Sequence, residues 1–362
     1  MLVYHKSQKI VLSCSILFMH IKPIAVYWFS NPVTNKIDFK GDELNSYLLD
    51  QYKVVFFGEQ HNTVFDPQVK YHLITDLNRR NAMRHVFFEM SVSRAWHCNK
   101  YLQTGDTSYL YTSKSSRFNP YTVFYKKLYA YNSQLPDSLK IVIHGIDFET
   151  TDVFLTLTQL APKGQTLPAA LRPVMDTIEA HVSDPGLKMW DMVNGKFTLY
   201  DNTAFIKTLK YVQGELKANT TDVQNYFGDN YPVVQAIATN DAPVEVAPRR
   251  RNKAMFAAIE KAVDEQHIDR FIGFFGGMHT SYSEGSSLSN ATKRLKNISA
   301  NDVINIMEFA YNTKSTDTAY RSKNYQEIVN LNGTCQATLL PAREVPGYKK
   351  QADFVVIVDI TE

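Results

Sequence analysis

The chain has 362 residues, 44% of them hydrophobic and 12% aromatic, enough to bury a substantial core in one large domain or two modest ones. Its 39 basic and 36 acidic side chains leave a formal charge of +3, which excludes an electrostatic case for nucleic acid or an anionic membrane as partner. Three cysteines provide neither a disulfide framework nor a cysteine-built zinc site.

The first thirty residues differ from the rest. Lys6 and Lys9 precede an apolar run at 10–19, and a second apolar stretch covers 24–29, the layout of a secretory signal. Residues 1–30 are therefore expected to be a signal peptide, with 31–362 an exported, periplasmic or extracellular, single domain. A hydrophobic first strand or an N-terminal membrane anchor is the alternative, because Lys22 and Pro23 interrupt the run. Cys14 lies inside the apolar core, not after it as lipidation would need. Cys98 and Cys335 could pair once if their Cα atoms come close. No other run is long and apolar enough to expect a membrane span.

Six short runs have the apolar, β-branched or aromatic character of buried parallel strands, at 52–57, 85–88, 140–143, 270–275, 302–307 and 353–358. After the first, Asp66-Pro67 reads as a helix start, and Val69, Leu73 and Leu77 recur every four residues. Before the fourth, Met255, Ile259 and Val263 repeat that spacing and predict a helix over 251–266. The alternation predicts an α/β fold, a mostly parallel sheet flanked by helices. The interval 150–248 lacks strand signals and contains helix-compatible pieces at 171–182 and 203–216, which predicts a helical insertion or cap. The Ser/Gly-rich stretch 281–289 reads as a mobile loop.

In an open parallel sheet, ligands bind beyond the carboxyl ends of the strands. Those ends are heavily loaded here. The first strand runs into Gly58-Glu59-Gln60-His61, the second ends in Glu89, the third runs into His144-Gly145-Ile146-Asp147, the fourth into Gly276-Gly277-Met278-His279, and Glu308 follows the fifth. Each desolvated charge must find a partner or shift its pKa, so convergence of Glu59, His61, Glu89 and His279 points to a site. Arg251 joins them because its helix runs antiparallel to the next strand, which puts the helix start near the carboxyl edge. Arg251 stands one turn before Met255, on the side of the buried stripe, whereas Arg249 and Arg250 read as solvated. Gly58 and Gly276-Gly277 would let the backbone turn sharply as it leaves the sheet.

As an ordered series, Gly58-Glu59-x-His61, Glu89, Arg251-x-x-x-Met255 and Gly277-x-His279 resemble the erythromycin-esterase-like and ChaN-like haem-uptake proteins, and more distantly the TraB/TIKI group. The resemblance covers roughly residues 50–312 and leaves out the helical interval. Its Glu-x-His spacing is nearer the ChaN-like pattern than the erythromycin-esterase one. It implies hydrolytic, haem-binding or metal-dependent function, without fixing one reaction.

The leading expectation is hydrolysis, most simply of an ester or amide bond in a small-molecule or peptide substrate, by an activated water. His61 serves as general base, Glu59 orients it, Glu89 and His279 complete the cluster, and Arg251 stabilises an oxyanion or holds a carboxylate. No Gly-x-Ser-x-Gly elbow supplies a serine nucleophile. A variant places a divalent metal, zinc, manganese or iron, between His61, His279, Glu59 and Glu89. The alternative class is a haem or small-ligand binding protein using His or Tyr, such as Tyr282, as iron ligand.

Overall fold

The computed structural model describes residues 27–28, 30–31, 36–37, 49, 51–60, 66–110, 120–182, 190–193, 196–199, 203–243, 248–311, 323–332 and 337–359. Residues 1–26, with Cys14, lie outside the described residues, as do His61 and Cys335.

The main sheet has eight strands, β1 (Tyr27–Trp28), β2 (Val54–Glu59), β3 (His85–Ser91), β4 (Val142–Asp147), β5 (Phe271–Gly276), β6 (Val303–Tyr311), β7 (Ala337–Pro341) and β8 (Phe354–Asp359). Their spatial order is β1-β7-β8-β6-β2-β5-β3-β4. All pairings from β8 to β4 are parallel, and only β1 and β7 run against their neighbours. The six expected strands are thus present and parallel. β7 is not among the expected strands, and β1 falls in the apolar stretch 24–29 and brings the sheet into the segment read from sequence as a signal. The third strand extends past its expected end, so His144 stands within β4 and not in a loop beyond it. There its Nε2 lies 2.9 Å from His85 Nδ1, and its ring stacks on Phe87.

Side chains alternate across the sheet, and the two faces are covered by different helices. Val55, Phe57, Val86, Phe88, Ile272 and Phe274 face helix α1 (Asp66–Asn81), α2 (Val92–Thr104) and α3 (Pro120–Asn132). Val54, Phe56, Phe87, Phe271 and Phe275 face Met255, Ile259 and Val263 of helix α9 (Pro248–Glu265). Both apolar stripes read from the spacing of four are therefore buried. Ser91 caps α2 by accepting from the backbone N–H of Arg94, and Gly105 ends it at φ 72°, a conformation that costs glycine least.

Between β4 and α9 lie α4 (Asp152–Leu160), α5 (Arg172–His181), α6 (Thr203–Ala218), α7 (Thr220–Phe227) and α8 (Tyr231–Ala238), with one small hairpin at Trp190–Val193 and Lys196–Leu199. These helices have a core of their own, built on Phe154, Leu157, Ile178, Phe205, Val212 and Ile237. No helix among the described residues is long and apolar enough to cross a membrane.

At the far edge, the side-chain amide of Asn99 accepts from Ile143 N at 2.9 Å and donates to Ile143 O at 2.7 Å. One side chain on α2 thus takes both outward backbone groups of that residue of β4.

Candidate active site

Glu89, Arg251 and His279 come together at the carboxyl edge of the sheet. Glu89 lies near the end of β3 on the α9 face. Arg251 opens α9, and its Nη2 donates to Glu89 Oε1 at 2.7 Å. The same guanidinium grips Asp147 at the end of β4, through Nε at 2.8 Å to Oδ1 and through Nη2 to Oδ2. His279 enters from the short helix α10 (Gly277–Thr280) after β5. Its Nε2 lies 3.5 Å from Glu89 Oε1 and 3.5 Å from Arg251 Nη1, while its Nδ1 bonds Asn252 Oδ1. An amide oxygen on Nδ1 requires a proton there, which fixes the ring and directs Nε2 toward the carboxylate.

Burial alone would raise the Glu89 pKa. The hydrogen bond and charge of His279, the Arg251 guanidinium, and the Gly276 N–H at 2.7 Å outweigh it and pull the carboxyl down to about 2. For Arg251, burial works against the charge, but the hydrogen bonds and charges of Asp147 and then Glu89 raise its pKa. Phe148 stacks under the guanidinium at 5.1 Å. The cluster is therefore charged and preorganised, with the Nη1 edge of Arg251 the least committed part of the fork.

Glu59 is placed differently. Alternation sends it to the other face of the sheet, where it forms an ion pair with Lys70 on α1. Lys70 is 2% exposed, donates to the Tyr121 hydroxyl at 2.9 Å, and lies against the rings of Tyr121, Phe88 and Phe274. The edge of the sheet thus carries two ionic centres, Glu89–Arg251–His279 on one face and Glu59–Lys70 on the other, with Gly276 of β5 paired to Glu59 and bonded to Glu89. Beside Glu59, Gln60 binds β2 to β6: its N–H donates to Glu308 Oε2 at 2.8 Å, and its side-chain oxygen accepts from Ala310 N at 3.0 Å.

Gly58 is explained by close approach. A Cβ there would stand 2.4 Å from Thr280 Oγ1 and 2.5 Å from Met307 Sδ, so the glycine lets α10 fold back over β2. That return also ties down the Ser/Gly-rich stretch expected to be mobile. Ser287 caps helix α11 (Leu288–Thr292), and buried Ser289 donates to Thr280 O. Tyr282, considered as an iron ligand, donates its hydroxyl to Asp353 Oδ2 at 2.7 Å, ahead of β8 and away from His279. Among the described residues no three His, Cys, Asp or Glu side chains form a metal-holding group, and the cation shared by Glu89 and Asp147 is Arg251 itself. Cys98 is buried and free.

Sequence reasoning selected Glu89, Arg251 and His279 but passed over Asp147, Asn252 and Lys70. Asp147 stood in the strand-end series and Asn252 beside Arg251. The signal for Lys70 was a charge at the edge of the stripe Val69, Leu73, Leu77.

No family model matches the sequence, and no curated protein matches it. Solved structures do share the fold. A mutant erythromycin esterase in its open conformation superposes with a TM-score of 0.60 at 13% identity, covering 93% of this chain and 98% of that one. A Bacillus cereus protein gives a TM-score of 0.56 at 14% identity over 96% and 97% of the two chains. A succinoglycan biosynthesis protein gives 0.54 at 13% identity over 86% and 88%. At these identities the likeness is one of architecture.

Proposed function

We propose that this chain is an exported hydrolase that directs an activated water at an ester or amide carbonyl of a small-molecule or peptide substrate. The observation that carries the reading is Arg251, fixed by Glu89 and Asp147 so that its Nη1 edge stands beside His279 at the carboxyl edge of the sheet. A donor held in this way costs little reorganisation when negative charge develops on a carbonyl oxygen. His279, with Nδ1 held by Asn252 and Nε2 facing Glu89, can hold or pass a proton at Nε2. His61 is the proposed base for water, on the strength of the Glu59-x-His61 motif. Glu59 of that motif is ion-paired with Lys70. The sharing of a fold with an erythromycin esterase supports the reaction class and leaves the substrate open. Export rests on Lys6, Lys9 and the apolar run that follows them.

The test is a panel of p-nitrophenyl esters and amides with the full chain and with His61→Ala, His279→Ala and Arg251→Ala. Turnover that falls at least about a hundredfold in Arg251→Ala is expected for loss of an oxyanion donor. Full activity in His61→Ala would remove that residue's role. No turnover of any ester, together with a Soret shift on haem titration, would replace the hydrolase with a haem-binding protein.

A further inference from the structure

We propose that Glu149 is a positioning residue that sets the spacing of the Glu89 and Asp147 carboxylates around Arg251, by tying the exit of β3 to the exit of β4. The two strands run in register from His85 opposite Val142 to Phe88 opposite Gly145, and next pair at Ser91 opposite Asp147. Three steps along β3 thus match two along β4, a bulge that interrupts the ladder. Glu89 lies inside the bulge and Asp147 at its far end. The backbone bonds that would hold the strands at a fixed spacing are therefore disturbed where two carboxylates must meet one guanidinium.

Glu149 spans that gap. It accepts from Val92 N at 3.1 Å, Ser93 N at 3.3 Å and the Ser93 hydroxyl, all just beyond Glu89 in the chain. Asn240, after α8, donates to Glu149 Oε1 at 2.9 Å and to Asp147 O at 2.8 Å, which fastens the helical layer to the same point. The carboxyl is 1% exposed and its partners are uncharged. Ser91 takes only the Arg94 N–H of α2, so Glu149 also satisfies the first two N–H groups of that helix, and the bonds from Asn240 to Glu149 and to Asp147 O carry the tie across to β4. Burial pushes the carboxyl up to about 7 against those hydrogen bonds, so the site retains a group that is costly to bury.

The inference deepens the hydrolase reading, and its catalytic readout rests on that reading. With p-nitrophenyl acetate as probe, Glu149→Ala in the full chain is expected to lower kcat by roughly tenfold with KM within about twofold. Combined with Asp147→Asn, it should add no further loss, because both act through Arg251. A folded Glu149→Ala with wild-type kcat, or with a loss that multiplies that of Asp147→Asn, overturns the proposal. If the wild-type chain hydrolyses no ester, the hydrolase reading fails on its own. Positioning is then read from hydrogen exchange of the Arg251 Nε–H by NMR, which should be roughly tenfold faster in Glu149→Ala; unchanged protection overturns it. Should Glu149→Ala not fold, Ser93→Ala and Asn240→Ala each remove one donor. The same losses of kcat and of protection are then expected, and wild-type values in both variants overturn the proposal.

Discussion

Arg251 Nη2 and Glu89 Oε1, 162 positions apart in the chain, meet at 2.7 Å. The contact joins the first turn of a helix on one face of the sheet to a strand that precedes the whole helical insertion in the chain. It completes a three-way pairing in which one guanidinium bridges two carboxylates.

Removing that guanidinium takes away the charge that bridges Glu89 and Asp147. Arg251→Ala is expected to destabilise the fold by about 3–5 kcal/mol in urea unfolding. Arg251→Lys restores a charge but not the fork, and should recover only part of the loss. A change below about 1 kcal/mol in the alanine variant would show that the pairing contributes no more than a surface ion pair.

Acid should release the same cluster. The Glu89 carboxyl is lowered from 4.5 to about 2, so below pH 4.5 the unfolded chain binds a proton that the folded chain does not. Stability contributed above pH 4.5 is then lost as pH falls toward 2, by roughly 3 kcal/mol. Thermal melting of wild type against Glu89→Gln between pH 5 and about 2 measures this. Parallel curves would contradict it.

Glu149 should act in the opposite sense. Its carboxyl is raised to about 7, so between pH 4.5 and 7 the folded chain holds a proton that the unfolded chain has lost, and stability falls as pH rises through that window. Glu149→Gln should remove the fall. The half-buried imidazoles His85 and His144, lowered chiefly by desolvation to about 4 and about 3, oppose it, since they favour the folded state as pH rises toward 6.5. The comparison is therefore between variant and wild type, not within one curve.

How much of this was legible in the sequence depended on whether the signal was local. Buried parallel strands read directly, because runs such as Val54-Val55-Phe56-Phe57 are apolar on both faces. The positions of Glu89, Arg251 and His279 followed from strand ends and helix direction. Pairing across faces was not legible. Glu59 and Glu89 both stand near strand ends, yet alternation decides whether a carboxylate meets Lys70 or Arg251. The bulge in β3 was hidden for a related reason, since no residue type announces it. Its one trace is Gly145, whose need becomes visible only when Ser91 O is seen lying over it.

That trace gives a test. A Cβ on Gly145 would fall 2.0 Å from Ser91 O and 2.9 Å from Met90 O, both backbone atoms that cannot rotate away. Gly145→Ala should cost about 1–3 kcal/mol by overpacking, and should slow turnover beyond that loss by shifting Glu89. Wild-type stability in this variant would mean that the bulge yields without cost.

Lys70→Met should remove the buried ion pair with Glu59 and the bond to the Tyr121 hydroxyl. The expected loss is about 3–5 kcal/mol, of which most should return in the double variant Lys70→Met with Glu59→Gln. Additive losses would separate the two residues energetically.

The amide of Asn99 has a bearing on how copies of this chain behave in a crowded solution. The outermost strand of a sheet invites a neighbour to dock its own backbone and extend the ladder from molecule to molecule. By taking both outward groups of Ile143, Asn99 gives that strand a stopper one residue wide. The cost of losing it would then appear in turbidity and light scattering at high concentration more than in any rate or melting point.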